Sequence, residues 1–148
     1  MTVRFIITAS SNPNATPQAE QPFDENLFAA YMRFNEELAQ AGVLISSEGL
    51  DPAGARAQVA VVRGKRTVMD GPFSESKELV GGFYLIEVDS KEEAIAWALR
   101  CPVGMREADV LEIHQMTGAE DIPPQLLEIA ARVAPTWTAS FSKRSGPR

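Results

Sequence analysis

The chain has one histidine, His114, whose side-chain type has the ordinary pKa closest to neutrality. In the alternating segment around it, Glu112 and His114 share one face of a predicted strand. Arg4 and Glu87 alternate with apolar neighbours in two other predicted strands, so all four groups are expected on the same sheet face. This set predicts either a charged pocket or an ion-pair network that fixes the register of a dimer, and the network is favoured.

Two further reactive side chains lie near predicted helices. Tyr31 lies on the apolar stripe of the first helix, where a core tyrosine with a satisfied hydroxyl is the commoner case and a cavity wall is the alternative. Cys101, the single cysteine, follows the second helix and gains no thiolate stabilisation from the helix dipole, so an inert buried thiol is expected. No residue spacing typical of a metal or nucleotide site is present, and we predict no cofactor.

Length, composition and charge exclude several classes of protein. The 148 residues fit one domain with a real core. A net charge of −6 argues against binding to nucleic acid, which requires clustered lysine and arginine. No segment approaches the roughly 20 apolar residues of a membrane span, and the N-terminal apolar run is too short for a signal peptide. A cytoplasmic protein is therefore expected.

Hydrophobic periodicity and turn residues predict the elements that must position these groups. In chain order they are a strand (2–9), a helix (24–41), a strand (43–47), a hairpin (57–63 and 66–69, with Gly64-Lys65 as its turn), a strand (82–88), a helix with its capping box (90–100), a strand (110–116), a helix from about 121 to 133 and a frayed polar tail (135–148).

This order predicts an α+β fold of the ferredoxin-like, split βαβ type, with helices on one face of an antiparallel sheet. Strand 82–88 is apolar at nearly every position, so both of its faces must be covered. A second copy of the chain would cover the face that the helices leave open, which predicts a homodimeric α+β barrel. Residues 1–117 would form the main unit, and 118–148 a C-terminal helix and tail of the same domain.

The run Asp70-Gly71-Pro72-Phe73 has the chemistry of a tight turn, in which Asp70 can bond the backbone and Phe73 can fill the core or the dimer seam. Alternatively, the run forms the rim of a pocket. It resembles the DGPF signature of the YCII-related proteins. Further ordered matches extend the resemblance over nearly all of residues 1–117: Phe34–Leu38, Gly42–Leu44, Glu48–Leu50, Glu75, Lys77-Glu78, Gly82-Phe83, Glu92–Ala94 and Cys101-Pro102.

The resemblance implies a ferredoxin-like dimer and leaves the activity open, because many relatives have none assigned. Some are encoded beside extracytoplasmic-function sigma factors, which implies a partner role for those members. Other branches resemble enzymes with a His–Asp pair, the histidine on the first helix and the aspartate before a proline after the second. Here those positions hold Tyr31 and Cys101. Neither can replace the dyad directly, so no catalysis by that route is expected.

Two hypotheses of function follow. In the first, the protein binds a small molecule between the first helix and the sheet, and proton transfer there would make it a lyase or isomerase. The residues expected to line this pocket are Tyr31, Glu48, Asp70, Phe73 and His114. In the second, the protein is a non-enzymatic partner module in a sigma-factor-linked regulatory system.

Overall fold

Six strands and four α-helices make up the described parts of the chain, which in this computed structural model are residues 2–11, 24–50, 57–70, 79–102 and 109–144. None of these helices is both long and apolar enough to cross a membrane. In chain order the elements are β1 (Val3–Ser11), α1 (Glu25–Gln40), β2 (Leu44–Gly49), β3 (Ala57–Val62), β4 (Lys65–Asp70), β5 (Leu79–Val88), α2 (Lys91–Arg100), β6 (Val110–Gln115), α3 (Pro124–Val133) and α4 (Pro135–Arg144).

Four strands form one sheet in the order β2-β5-β1-β6, and every neighbouring pair is antiparallel. Strand β5, which the sequence predicts to be apolar on both faces, lies at the centre of the sheet beside β1. Strands β3 and β4 form a separate two-stranded sheet. Their turn is Arg63-Gly64, one residue earlier than predicted, because both residues adopt the positive φ angles that a tight hairpin turn requires.

Helices α1 and α2 begin where the capping residues predict. The Asp24 carboxylate accepts a hydrogen bond from the Leu27 backbone N–H at 3.1 Å. Likewise, the Ser90 hydroxyl accepts from the Glu93 N–H at 3.2 Å. In the predicted capping box the Glu93 carboxylate would accept a hydrogen bond from the Ser90 N–H. It accepts instead from the N–H of Asp89, one residue earlier, at 2.8 Å.

The hydrophobic core lies between α1, α2 and one face of the four-stranded sheet. Alternate residues of the central strands contribute to it, as do the inner sides of both helices. The fold is therefore α+β, with α1 and α2 on one side of an antiparallel sheet. The most buried side chains of the core are Phe5, Ile7, Phe34, Leu38, Val43, Tyr84, Ile86, Val88, Ala94 and Cys101.

We call the other side of the sheet the open face. On β1 it carries Arg4, Ile6, Thr8 and Ser10, which alternate with the core residues. Backbone pairing places Leu85, Ile6 and His114 in one row across this face, and Phe83, Thr8 and Glu112 in the next. The open face therefore mixes apolar side chains with charged ones.

The prediction of a frayed tail from residue 135 is wrong as far as residue 144, which is helical. Pro135 stands at the start of α4, where its fixed φ favours a helix. Serine and threonine hydroxyls are typical of polar loops, but here they bond to the backbone of preceding residues. Thr138 donates to the Ala134 carbonyl at 2.8 Å and Ser140 to the Trp137 carbonyl at 2.6 Å.

The second strand is longer than predicted. β2 continues to Gly49, so Glu48 and Gly49 lie in the strand and not in a turn. Pairing extends one residue further, because the Leu50 N–H donates to the Gly81 carbonyl at 3.0 Å. The sequence predicts a polar, proline-rich loop at 10–23, and this is wrong for its first two residues, because β1 continues to Ser11. Residues 12–23 and most of the Asp-Gly-Pro-Phe run, including Phe73, lie outside the described residues.

Candidate functional site

The most unusual polar group of the core is the hydroxyl of Tyr84. This residue lies near the middle of β5 and is 2% exposed. Its ring lies 6.0 Å from the ring of Tyr31 and 5.5 Å from that of Phe34, the latter edge-on. Among the described residues, no group forms a hydrogen bond of ordinary geometry with the Tyr84 hydroxyl. A buried hydroxyl without a partner costs free energy, so its presence calls for an explanation.

The surroundings of this hydroxyl keep it protonated. Burial raises the pKa of Tyr84 far above its ordinary value of about 10, and the neighbouring Tyr31 hydroxyl and Cys101 thiol raise it further. Both neighbours are close enough to act on the pKa, although neither meets the distance and angles of a hydrogen bond. At physiological pH the Tyr84 hydroxyl is therefore a neutral donor.

Two helices hold the neighbours of Tyr84 in place. Tyr31 lies on α1, one turn before the buried Phe34, and is itself half-buried. Cys101 ends α2, where its backbone N–H donates to the Ala98 carbonyl at 3.1 Å. Its side chain is buried, with 3% exposure. We name the group Tyr31, Tyr84 and Cys101 the tyrosine–cysteine cluster.

Contacts at the C-terminal end of α2 fix the spacing between the two helices. The Arg100 guanidinium lies 4.6 Å from the ring centroid of Trp97 and forms an ion pair with Glu37 of α1. The Trp97 ring lies 6.2 Å from Phe34, also of α1. Because both members of the ion pair are half exposed, their attraction contributes at most about 1 kcal/mol. The contact of Trp97 with Phe34 therefore contributes more to holding the two helices together.

Two members of the tyrosine–cysteine cluster are the residues that the resemblance compares with the His–Asp pair of other branches. Tyr31 and Cys101 are the positions onto which the resemblance maps that pair, and both act on the Tyr84 hydroxyl. A neutral phenol that stays protonated cannot serve as a general base. The arrangement can donate a hydrogen bond, but it lacks the base that a dyad needs.

The remaining predicted residues lie elsewhere. Glu48 pairs with Phe83 and His114 with Ile6, so both belong to the open face, on the other side of the sheet from Tyr31. Asp70 is the last residue of β4, in the separate two-stranded sheet. The structure therefore does not bring Tyr31, Glu48 and His114 into one pocket.

The four charged groups predicted on the open face form separate pairs. The His114 imidazole Nε2 lies 3.0 Å from the Glu112 carboxylate, and both side chains are about half exposed. Arg4 instead donates to the Thr117 carbonyl at 3.2 Å. Glu87 accepts a hydrogen bond from the Thr2 hydroxyl. Of the predicted network, the structure shows one imidazole–carboxylate pair.

Tyr84 is not among the candidate site residues predicted from the sequence. Its strand is apolar at nearly every position, so one phenolic hydroxyl does not stand out in the sequence. The signal was available, because Tyr84 shares its alternation with Ile86 and Val88, which are the core-facing residues of that strand. Among the described residues, no three histidine, cysteine, aspartate or glutamate side chains are grouped so that they could hold a metal ion.

Fold and site together define an α+β protein with a one-sided helical layer and a buried cluster of hydroxyl and thiol groups. Comparison of the sequence with family models confirms the resemblance: the chain belongs to the YCII-related domain family, whose model matches residues 3–117. It is also similar to an uncharacterized protein of Rhizobium meliloti (strain 1021). The two are 28% identical over 123 residues, which cover 83% of this chain and 92% of the relative.

Proposed function

We propose that the protein binds a small molecule between α1 and the sheet, with the Tyr84 hydroxyl as the donor that recognises it. The observation that carries this proposal is the buried Tyr84 hydroxyl, which lies next to Tyr31 and Cys101 and has no hydrogen-bond partner in the described parts of the chain. Binding sites typically combine apolar walls with a few placed polar groups. A ligand atom that accepts from Tyr84 would recover the free energy that its burial costs.

The ligand chemistry follows from the charge of the site. The burial that keeps the Tyr84 phenol neutral also penalises a charged ligand, so a neutral acceptor such as a carbonyl oxygen is favoured. The walls are aromatic, because Tyr31 and Phe34 lie against the Tyr84 ring, and they favour a flat apolar group beside that oxygen. Tyr31 is the half-buried member of the cluster, so a ligand that enters beside Tyr31 displaces the fewest buried side chains.

Acetophenone is a suitable probe, because it joins an aromatic ring to one carbonyl oxygen, and ethylbenzene is its control without the acceptor. Titration followed by NMR should show shifts at the Tyr31 and Tyr84 rings, with acetophenone binding about tenfold more tightly, which corresponds to about 1.4 kcal/mol. In the Tyr84→Phe variant the two affinities should become equal. Equal affinities in the unmodified protein, or no binding of either probe, would contradict the proposal.

We also propose that the protein has a ferredoxin-like fold and forms a homodimer through the open face. The strand order β2-β5-β1-β6 with antiparallel pairing, and both helices on one side, supports the split βαβ assignment. Apolar side chains on the open face, among them Phe83 and Leu85, support its burial against a second copy. Sedimentation equilibrium at micromolar concentration should then give twice the chain mass of 16.1 kDa.

A charge at the centre of the open face tests this interface. Leu85→Lys should give the monomer mass with an unchanged circular dichroism spectrum, because a lysine ammonium is costly to bury without a partner. Leu99→Lys is the matched control, since Leu99 is 81% exposed on α2. If the unmodified protein is monomeric, or if both variants remain dimeric, the open face is not the interface.

Proton transfer by His114 is the second candidate function. It is favoured by the 3.0 Å contact between His114 and Glu112, because a carboxylate that orients an imidazole is the usual arrangement of a general base. This activity would take place on the open face, inside the dimer. For any activity found, His114→Gln with the dimer intact should lower kcat by about 100-fold or more if His114 transfers the proton. An unchanged kcat would exclude that role.

The alternative of a sigma-factor-linked partner module stays a prediction, as does the cytoplasmic location. The two functions make different demands on the tyrosine–cysteine cluster. A partner module would bind through its surface, so Tyr84→Phe would leave partner binding unchanged. A small-molecule-binding protein would lose its preference for the carbonyl probe in the same variant.

A further inference from the structure

Two exposed apolar surfaces lie outside the four-stranded sheet and its helices. The first, which we call the valine face, is the side of the β3–β4 hairpin formed by Val59, Val61 and Val68, whose exposed fractions are 64%, 70% and 65%. Val59 pairs with Val68, and Val61 with Arg66, so these side chains point to the same side. A two-stranded hairpin alone is only marginally stable in water. The valine face therefore needs a cover.

The second surface, which we call the α3 stripe, consists of Leu126, Ile129 and Val133. These residues recur at spacings of three and four, which places them on one side of α3. Their exposed fractions are 49%, 46% and 73%. α3 packs against α4, and the stripe remains exposed beside that contact. It lies beyond residue 117, where the family match ends.

Charged residues at the ends of the two surfaces are complementary. The tip of the hairpin carries the exposed cations Arg63, Lys65 and Arg66. Two exposed carboxylates, Glu120 and Asp121, lie just before the first turn of α3. When the valine face and the α3 stripe are aligned with the hairpin tip at the start of α3, opposite charges meet. Charge complementarity of this kind fixes the orientation of two surfaces.

We propose that the α3 stripe of one copy covers the valine face of a second copy. The lengths agree, since a six-residue strand is roughly 20 Å long and a ten-residue helix roughly 15 Å. Within one chain both surfaces are exposed, so they do not cover each other there. A two-fold axis would bury both surfaces twice, because each copy contributes one of each. The contact is separate from the open face of the sheet.

Disulfide trapping tests this contact. Chains carrying Val61→Cys and chains carrying Leu126→Cys are coexpressed, with a cleavable tag on one to distinguish them by mass. Val61 lies beside the hairpin tip and Leu126 in the first turn of α3, so the proposed alignment brings these two positions together. Val62→Cys replaces Val61→Cys in the matched control, because Val62 pairs with Lys65 and projects from the other side of the hairpin. Cys101 stays in place, since it is buried, and each single variant gives the background.

After mild oxidation, the Val61→Cys and Leu126→Cys pair should yield a disulfide between the two chains, at least about fivefold above the Val62→Cys control. Both substitutions placed in one chain should likewise give dimers on a non-reducing gel. A disulfide confined to the single chain would show that α3 covers its own hairpin and would overturn the proposal. So would a yield equal to the control, which would mean that another partner covers the valine face.

Discussion

Tyr84→Phe removes one buried hydroxyl and leaves the aromatic ring with its contacts to Tyr31 and Phe34. A buried polar group without a hydrogen bond costs about 1–3 kcal/mol of stability. Because the Tyr84 hydroxyl has no such bond among the described residues, the variant should be more stable by about this amount at neutral pH. For a chain of this length, each kcal/mol raises Tm by about 2–4 °C. Urea unfolding at pH 7 measures the change directly.

The same substitution should change the pH dependence of stability. The folded state keeps Tyr84 protonated, because burial raises its pKa, whereas the unfolded state releases the proton near pH 10. Ionisation of Tyr84 therefore leaves the free energy of unfolding unchanged below pH 10 and lowers it progressively as the pH rises above 10. At pH 11 the unmodified protein should have lost about 1.4 kcal/mol that the phenylalanine variant keeps. The difference between the two proteins should widen by this amount from pH 8 to pH 11.

Two results would refute this reasoning. A loss of about 0.5–1.5 kcal/mol in Tyr84→Phe at neutral pH would show that the hydroxyl makes an ordinary hydrogen bond. A difference that stays constant between pH 8 and pH 11 would show that its pKa is not raised. Tyr31→Phe is the matched control, because Tyr31 is half-buried, and its substitution should change stability by less than about 0.5 kcal/mol.

Three further substitutions test the backbone by urea unfolding. Gly82→Ala should cost about 1–3 kcal/mol, because its Cβ would lie 2.8 Å from the Glu48 carbonyl oxygen. Gly81→Ala should be neutral, because the nearest atom of the described residues to its Cβ is the Ala9 carbonyl oxygen at 3.8 Å; equal effects of the two substitutions would disprove the clash. Arg63→Asn should stabilise the hairpin by up to about 1 kcal/mol, since asparagine tolerates the φ of 51° better; a loss of stability would contradict this. Ser90→Ala should cost about 1 kcal/mol through the lost cap of α2, and no change would mean that the Glu93 N–H finds another acceptor.

Local patterns predict much of the fold. Strand alternation and capping residues depend on neighbours in sequence, so β1, α1, α2 and β6 are predicted closely. The C-terminal helix α4 is not predicted, because its serine and threonine side chains are equally typical of loops. Thr138 and Ser140 reach the carbonyls of Ala134 and Trp137 because the helical turn brings residues three and four apart together.

The candidate site is harder to predict, because its members meet only through tertiary packing. Strand parity correctly predicts that His114 and Glu112 share a face, since parity is a local property. Tyr31 was assigned to the same pocket as Glu48 and His114 without a way to decide which side of the sheet each would occupy. The contact of Tyr84 with Tyr31 and Cys101 joins β5, α1 and the end of α2, and no short segment of sequence contains it.

The pairing of β2 with β5 includes one surplus residue. Leu44 lies opposite Ile86 and Ser46 opposite Leu85, so Ile45 has no partner of its own and forms a bulge. Without Ile45, every other residue of β2 would keep its side of the sheet, because the regular alternation would resume directly from Leu44 to Ser46. This edge strand can therefore shorten by one residue without turning Ser47 or Glu48 over. We expect a chain with Ile45 deleted to fold, and loss of the cooperative unfolding transition would contradict this. In relatives, a one-residue gap at this position would change the length of the chain and leave both faces of the sheet as they are.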